Sequence, residues 1–221
     1  MPPDAPKSPP ENLKVVAYAR PIGDHPIYAA IGNIAAEWAY FEHILDQIIG
    51  DLLPNTDNPR LACLTSQMMG TAPRYRAIKG LLKIEERSAK PFDSAPAPAK
   101  LVEKINALEG KTFAVSERRN RIVHDPWYLE LFTQQPTQFR SMPSKDPVYG
   151  MKQVDKQFLA ETYEKIADLV EEGEKLRVKV LEARAAWHGT KPPLQPVNPR
   201  NEDHSSKAIL DLLDRIPTSD P

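Results

Sequence analysis

Arg119, Asn120 and His124 are the residues of this chain best suited to attack a phosphodiester. They bring together a permanent cation, an amide that both donates and accepts, and an imidazole that exchanges protons near neutral pH. The string reads Arg119-Asn120-Arg121-Ile122-Val123-His124, followed by Asp125-Pro126-Trp127. A cation of this kind can hold a phosphate and offset the charge that builds in its transition state, while a histidine gives or takes the proton. The same Arg-to-His spacing occurs at Arg20 and His25. There Pro21, Gly23 and Pro26 make an irregular lead-in with nothing to fix the two side chains.

The segment that carries the motif is helical in pattern. Leu101, Ile105, Leu108, Thr112, Val115, Arg119 and Ile122 form one seam, and Pro126 forces Asp125 into extended geometry, so the helix stops near His124. Arg119 lies on that seam and is directed toward a packed face or an interface, where burial demands a partner. His124 lies about 140° around the helix from it, so the two do not form a simple intrahelical pair and must meet through a bent helix end or across a dimer. The negative end of the helix dipole favours protonated His124, as does the Asp125 carboxylate if it turns toward the ring. Asn120 shares the His124 face and can orient the imidazole, hold a phosphate oxygen or simply cap the helix. Arg118 and Arg121 add positive charge beside the motif, as RNA contacts or as solvated surface groups.

The other elements support a bundle. Ile27, Ile31, Ile34, Trp38, Phe41, Leu45, Ile48 and Leu52 make a long first helix ended by Pro54 and Asn55. A second helical stretch opens at Asn58-Pro59, breaks near Gly70 and Pro73, and resumes through Ile78, Leu81 and Leu82. After the motif helix, Trp127 to Phe132 and Thr137 to Arg140 read as a short β-hairpin. A last long helix from about Asp155 is seamed by Leu159, Ile166, Leu169, Leu176, Val180, Ala183 and Trp187, with Gly173 on the same line as a point of close helix approach. The expected fold is therefore an all-α, up-and-down bundle of four to five helices with a short β-hairpin insertion and disordered Pro-rich tails.

More than half of the 23 prolines fall before residue 27 or after residue 190. The expected organisation is a disordered tail over 1–23, a bundle domain over 24–188, a Pro-rich linker over 189–205, a short amphipathic helix over 206–216 and a tail over 217–221. No stretch resembles a secretory signal or a membrane helix, so the expectation is a soluble, cytoplasmic protein with no membrane partner. The lone Cys63 excludes an internal disulfide, and its apolar neighbours predict a packed thiol. A net charge of −1 gives no global nucleic-acid signature, so any such binding needs a local patch. Arg76, Lys79, Lys83, Arg87 and Lys90 form one basic stripe opposite Ile78, Leu81 and Leu82 that could track a phosphate backbone or be an ordinary solvated face. Trp38, Trp127 and Trp187 have apolar neighbours and read as core. No compact His, Asp and Glu cluster has metal-ligand spacing, so no metal or cofactor is expected.

The motif at the end of its helix, with Asp125-Pro126-Trp127 after it, resembles the Arg-Asn-x-x-x-His signature of the HEPN superfamily. Trp38 and the run Phe41-Glu42-His43-Ile44-Leu45 extend the likeness, which covers about residues 24 to 187. The resemblance implies a homodimer whose two motifs face one cleft and cut RNA without metal. In it, Arg119 binds the scissile phosphate and His124 handles the proton. It also implies a toxin or phage-defence setting, with an antitoxin or other protein as a further partner. Glu42 flanks the apolar seam as a carboxylate that pairs with Arg119 or lines the cleft. Two other readings stand beside this one: a catalytically silent dimerisation or protein-interaction module, and a nucleotide-binding accessory subunit.

Overall fold

The computed structural model describes residues 17–21, 25–53, 58–88, 97–142, 148–154 and 156–190, with 211–212 and 214–215. The expected linker and C-terminal helix fall almost wholly outside these residues, as does most of the expected N-terminal tail. The described chain is mostly helical, with α1 at Pro26–Leu52, α2 at Asn58–Thr65, α3 at Thr71–Ser88, α4 at Pro98–His124 and α5 at Lys156–His188. None of these helices is long and apolar enough to cross a membrane.

Each long helix buries the stripe that its spacing predicts. Ile27, Ile34, Trp38, Phe41, Leu45, Ile48 and Leu52 of α1 are buried together with Leu101, Ile105, Leu108 and Ile122 of α4 and Leu159, Ile166, Leu169, Val180 and Trp187 of α5. The helix starts and stops follow local chemistry. His25 caps α1, its Nδ1 accepting from the Ile27 amide at 3.2 Å with Pro26 in the first turn, so this decoy histidine is a capping residue. Asp125, held extended at ψ 140° before Pro126, ends α4.

Polar pairs between helices show their directions. Tyr40 meets Glu174, Gln47 meets Arg177, and the Asp51 carbonyl meets Arg184, so α1 and α5 run parallel. Tyr75 meets Thr112 and Lys79 meets Glu109, so α3 and α4 are antiparallel; Lys111 with Glu172 and Arg118 with Glu161 make α4 and α5 antiparallel too. The short α2 turns the chain back between α1 and α3, which makes the alternation of an up-and-down bundle complete. At the α1–α5 contact, a Cβ on Gly173 would stand 3.3 Å from Ile44 Cγ2 and 3.4 Å from Phe41 Cε2, which is why that position carries no side chain.

Three expectations change. The expected hairpin is two strands of a four-stranded antiparallel sheet in the order β1 (Tyr18–Ala19), β2 (Trp127–Glu130), β3 (Pro136–Met142), β4 (Val148–Gln153). Tyr18 and Ala19, expected within a disordered tail, pair with Glu130 and Leu129, because the free edge of β2 offers them backbone partners. Cys63 is exposed rather than packed. It lies two positions after Leu61, the α2 residue that packs toward the core, and about 200° around the helix puts it on the opposite face.

Candidate functional site

The C-terminal end of α4 is anchored by the sheet that follows it. The Ile122 carbonyl accepts from Trp127 Nε1 at 2.8 Å, and the Arg121 carbonyl accepts from the Asp125 amide at 3.0 Å and from Gln138 Nε2 at 2.6 Å. These are carbonyls that a helix end leaves without intrahelical donors. Gln138 is fully buried and reaches back from β3, so the sheet holds the last turn of α4 in place. No sequence signal marked Gln138, since its role exists only once β3 lies beside the helix end.

Arg119 leaves α4 toward α1 and is half-buried. Its guanidinium carbon lies 5.7 Å from the centre of the Trp38 ring, within cation–π range. Nη1 donates to Asn120 Oδ1 at 2.9 Å. Nε is buried with no acceptor, an unpaired donor that costs roughly 1–3 kcal/mol. Burial pushes the Arg119 pKa down from its ordinary value and the nearby Glu42 carboxylate pulls it back up, so the cation is desolvated but electrostatically supported.

Comparison with the other arginines shows how unusual this is. Arg74, the most buried of them, is fully wired: it bonds Asp46 through Nε and Nη2 at 2.7 and 3.2 Å, and gives Nη1 to the Met68 and Gly70 carbonyls. That is a structural cation. Arg177 likewise binds Asp51 at 2.6 Å and Gln47 at 2.7 Å. Arg184 shares an unpaired Nε but donates Nη1 to the Asp51 carbonyl at 2.6 Å. Arg119 alone among these four combines an aromatic face, a neutral amide partner and no bonded carboxylate.

The structure corrects the expected ion pair between Glu42 and Arg119. Glu42 Oε1 instead accepts from Trp38 Nε1 at 3.1 Å and reaches the guanidinium by charge alone. Asp125 makes no hydrogen bond or ion pair with the imidazole among the described residues, and its Oδ2 is buried without a partner. His124 is exposed, and no hydrogen bond or ion pair among the described residues ties it down. The chain thus brings Arg119, Asn120, Trp38 and Glu42 together and leaves His124 about 140° around α4 from Arg119, as the helical spacing requires.

The flanking cations divide. Arg118 bonds Glu161 at 3.2 Å and lies 4.6 Å over the Phe158 ring, which ties it to α5, whereas Arg121 is half-buried beside the helix end. On α3, Arg76 and Lys83 are exposed, but Lys79 is pinned to Glu109 of α4 at 2.7 Å; the Arg87 side chain and Lys90 lie outside the described residues. The basic stripe is therefore interrupted at its middle, because α4 packs close enough to claim Lys79. Among the described residues, no group of three or more His, Cys, Asp or Glu side chains gathers to hold a metal ion. Compared with known protein families, with curated proteins and with solved structures, the chain matches none.

Proposed function

We propose that this chain is a metal-independent endoribonuclease of the HEPN type, acting as a homodimer with an Arg119/His124 pair at the dimer cleft. The observation that carries the reading is Arg119 itself, a partly desolvated cation with an unpaired Nε–H and no bonded carboxylate among the described residues, one residue from an exposed amide and about a turn and a half of helix from an exposed histidine. Such a cation is ready for an anion. In a low-dielectric setting an oxyanion partner is worth more to it than in water.

In the proposed reaction the RNA 2′ hydroxyl attacks the adjacent phosphorus. A P–O2′ bond forms, the P–O5′ bond breaks, the 2′ proton passes to a base and the 5′ oxygen receives a proton from an acid. Arg119 holds a non-bridging oxygen of the scissile phosphate, and Asn120 orients the guanidinium through the Nη1 bond. His124 supplies one proton transfer. Because His124 and Arg119 occupy different faces of α4, the histidine that serves a given Arg119 comes from the second protomer. Products would be a 2′,3′-cyclic phosphate and a 5′ hydroxyl.

The test is cleavage of end-labelled single-stranded and transfer RNA in excess chelator by the wild type, Arg119→Ala and His124→Ala, with product ends mapped. Cyclic-phosphate ends from the wild type alone, with all three proteins equally helical, is the expected result. Silence from the wild type across several RNAs would refute the nuclease. It would favour a non-catalytic interaction module, a reading that the exposed Met69 and Phe113 along one depression of α3 and α4 supports, at 90% and 69% exposure.

A further inference from the structure

We infer that Trp38 and Glu42 are positioning residues for Arg119: the Glu42 carboxylate clamps the Trp38 indole, and the face of that indole sets the guanidinium in the orientation that receives a phosphate. The inference rests on the proposed role of Arg119 and goes beyond it. It turns a buried tryptophan, which its neighbours mark as plain core, into part of the anion site.

Four observations meet here. Trp38 is 3% exposed, and its Nε1 has a carboxylate acceptor in Glu42, one turn further along α1, at 3.1 Å. A buried indole N–H needs a partner, and this one fixes the ring about its own axis. Phe41, with its ring centre 5.7 Å away and tilted by 56°, supports the indole within the core. The Arg119 guanidinium carbon then stands 5.7 Å from the indole centre, so the ring's negative face confronts the cation. Among the described residues, the only bonded acceptor of the guanidinium is the neutral Asn120 amide, at Nη1. Glu42 therefore supports the positive charge without occupying a donor. A carboxylate bonded directly to Arg119 would compete with a phosphate, whereas a carboxylate held by Trp38 stabilises the cation and leaves Nη2 for the incoming oxygen.

The arrangement is distinguishable from simple packing. Glu42→Gln keeps an oxygen acceptor for Trp38 Nε1 and removes the charge, while Glu42→Leu removes both. Each variant would be compared with wild type for kcat and KM on a short RNA, for binding of the same sequence as an uncleavable 2′-deoxy oligonucleotide by fluorescence anisotropy, and for melting temperature. We expect Glu42→Leu to weaken oligonucleotide binding about tenfold and to lower kcat, with Glu42→Gln intermediate and with Trp38→Phe, which keeps an aromatic face, closer to wild type than Trp38→Leu. A purely structural role would lower the melting temperature and leave the kcat, KM and affinity of the folded protein unchanged, and that result would overturn the inference.

The two readings fail separately. A wild type that binds the oligonucleotide through Arg119 without cleaving RNA, and loses that binding in Glu42→Leu, would refute the nuclease and support the clamp. A cleaving wild type whose Glu42→Leu form keeps full binding and turnover would refute the clamp and support the nuclease. Neither binding nor cleavage by the wild type would refute both.

Discussion

Arg74 and Arg119 show how far residue type alone can mislead, since both are arginines on apolar helix faces and only one is satisfied. Arg74 is held by a carboxylate and two carbonyls, so it serves the fold. Arg119 has a neutral amide partner and no bonded carboxylate among the described residues, so of the two it is the one suited to a ligand. A second buried polar pair makes a testable statement about pH. The Tyr75 hydroxyl and Thr112 Oγ1 lie 2.7 Å apart in the core, and burial pushes the Tyr75 pKa well above its ordinary 10.0. The unfolded chain ionises Tyr75 from about pH 10 upward while the folded chain does not, so this contribution to stability is complete below pH 10 and is lost as pH rises beyond it. Melting temperature should therefore fall above pH 10. Tyr75→Phe should flatten the alkaline decline and cost about 1 kcal/mol at neutral pH through the lost hydrogen bond, measured by urea unfolding.

At the scale of elements, the sheet anchors the last turn of α4, where the motif ends. Gln138 of β3 and Trp127 of β2 bind the carbonyls of Arg121 and Ile122. Gln138→Leu should destabilise the protein by about 1 kcal/mol and speed amide exchange in the turn that ends at His124, while exchange in the middle of α1 stays unchanged. Unchanged exchange at that turn would mean that the sheet does not anchor it. The α1–α5 contact makes a separate prediction. Gly173→Val places atoms where Ile44 and Phe41 already stand, and the overpacking should cost roughly 1–3 kcal/mol by denaturant titration. The strongly periodic helices were legible in the sequence because α1, α4 and α5 each bury a face along most of their length. β1 and β4 were not. A two-residue strand in a Pro-rich stretch, and a strand with Gly150 at its centre, have no pattern of their own and depend on β2 and β3 as templates.

The whole-molecule question is whether Arg119 and His124 act within one chain or between two. Their separation of about 140° around α4 favours two chains. Mixing Arg119→Ala with His124→Ala protein tests this directly. If each site takes its arginine and its histidine from different protomers, each mixed dimer carries one intact pair, and the mixture should recover about a quarter of wild-type cleavage. If both residues act from the same protomer, no intact site forms and the mixture stays silent. Sedimentation at the assay concentration gives the assembly state against which that recovery is read.

Taken alone, the sequence determined the helices, the stop at His124 before Pro126, the seam that points Arg119 inward and the burial of Trp38, Trp127 and Trp187, because these follow from local spacing and backbone sterics. Only the tertiary structure decided that Glu42 binds Trp38 rather than Arg119, that Lys79 is withdrawn from the basic stripe by Glu109 and that Gln138 caps the motif helix. Those outcomes depend on which side chains from distant segments arrive within hydrogen-bonding reach. Such distances are set by helix packing, and no periodicity within a single segment encodes them.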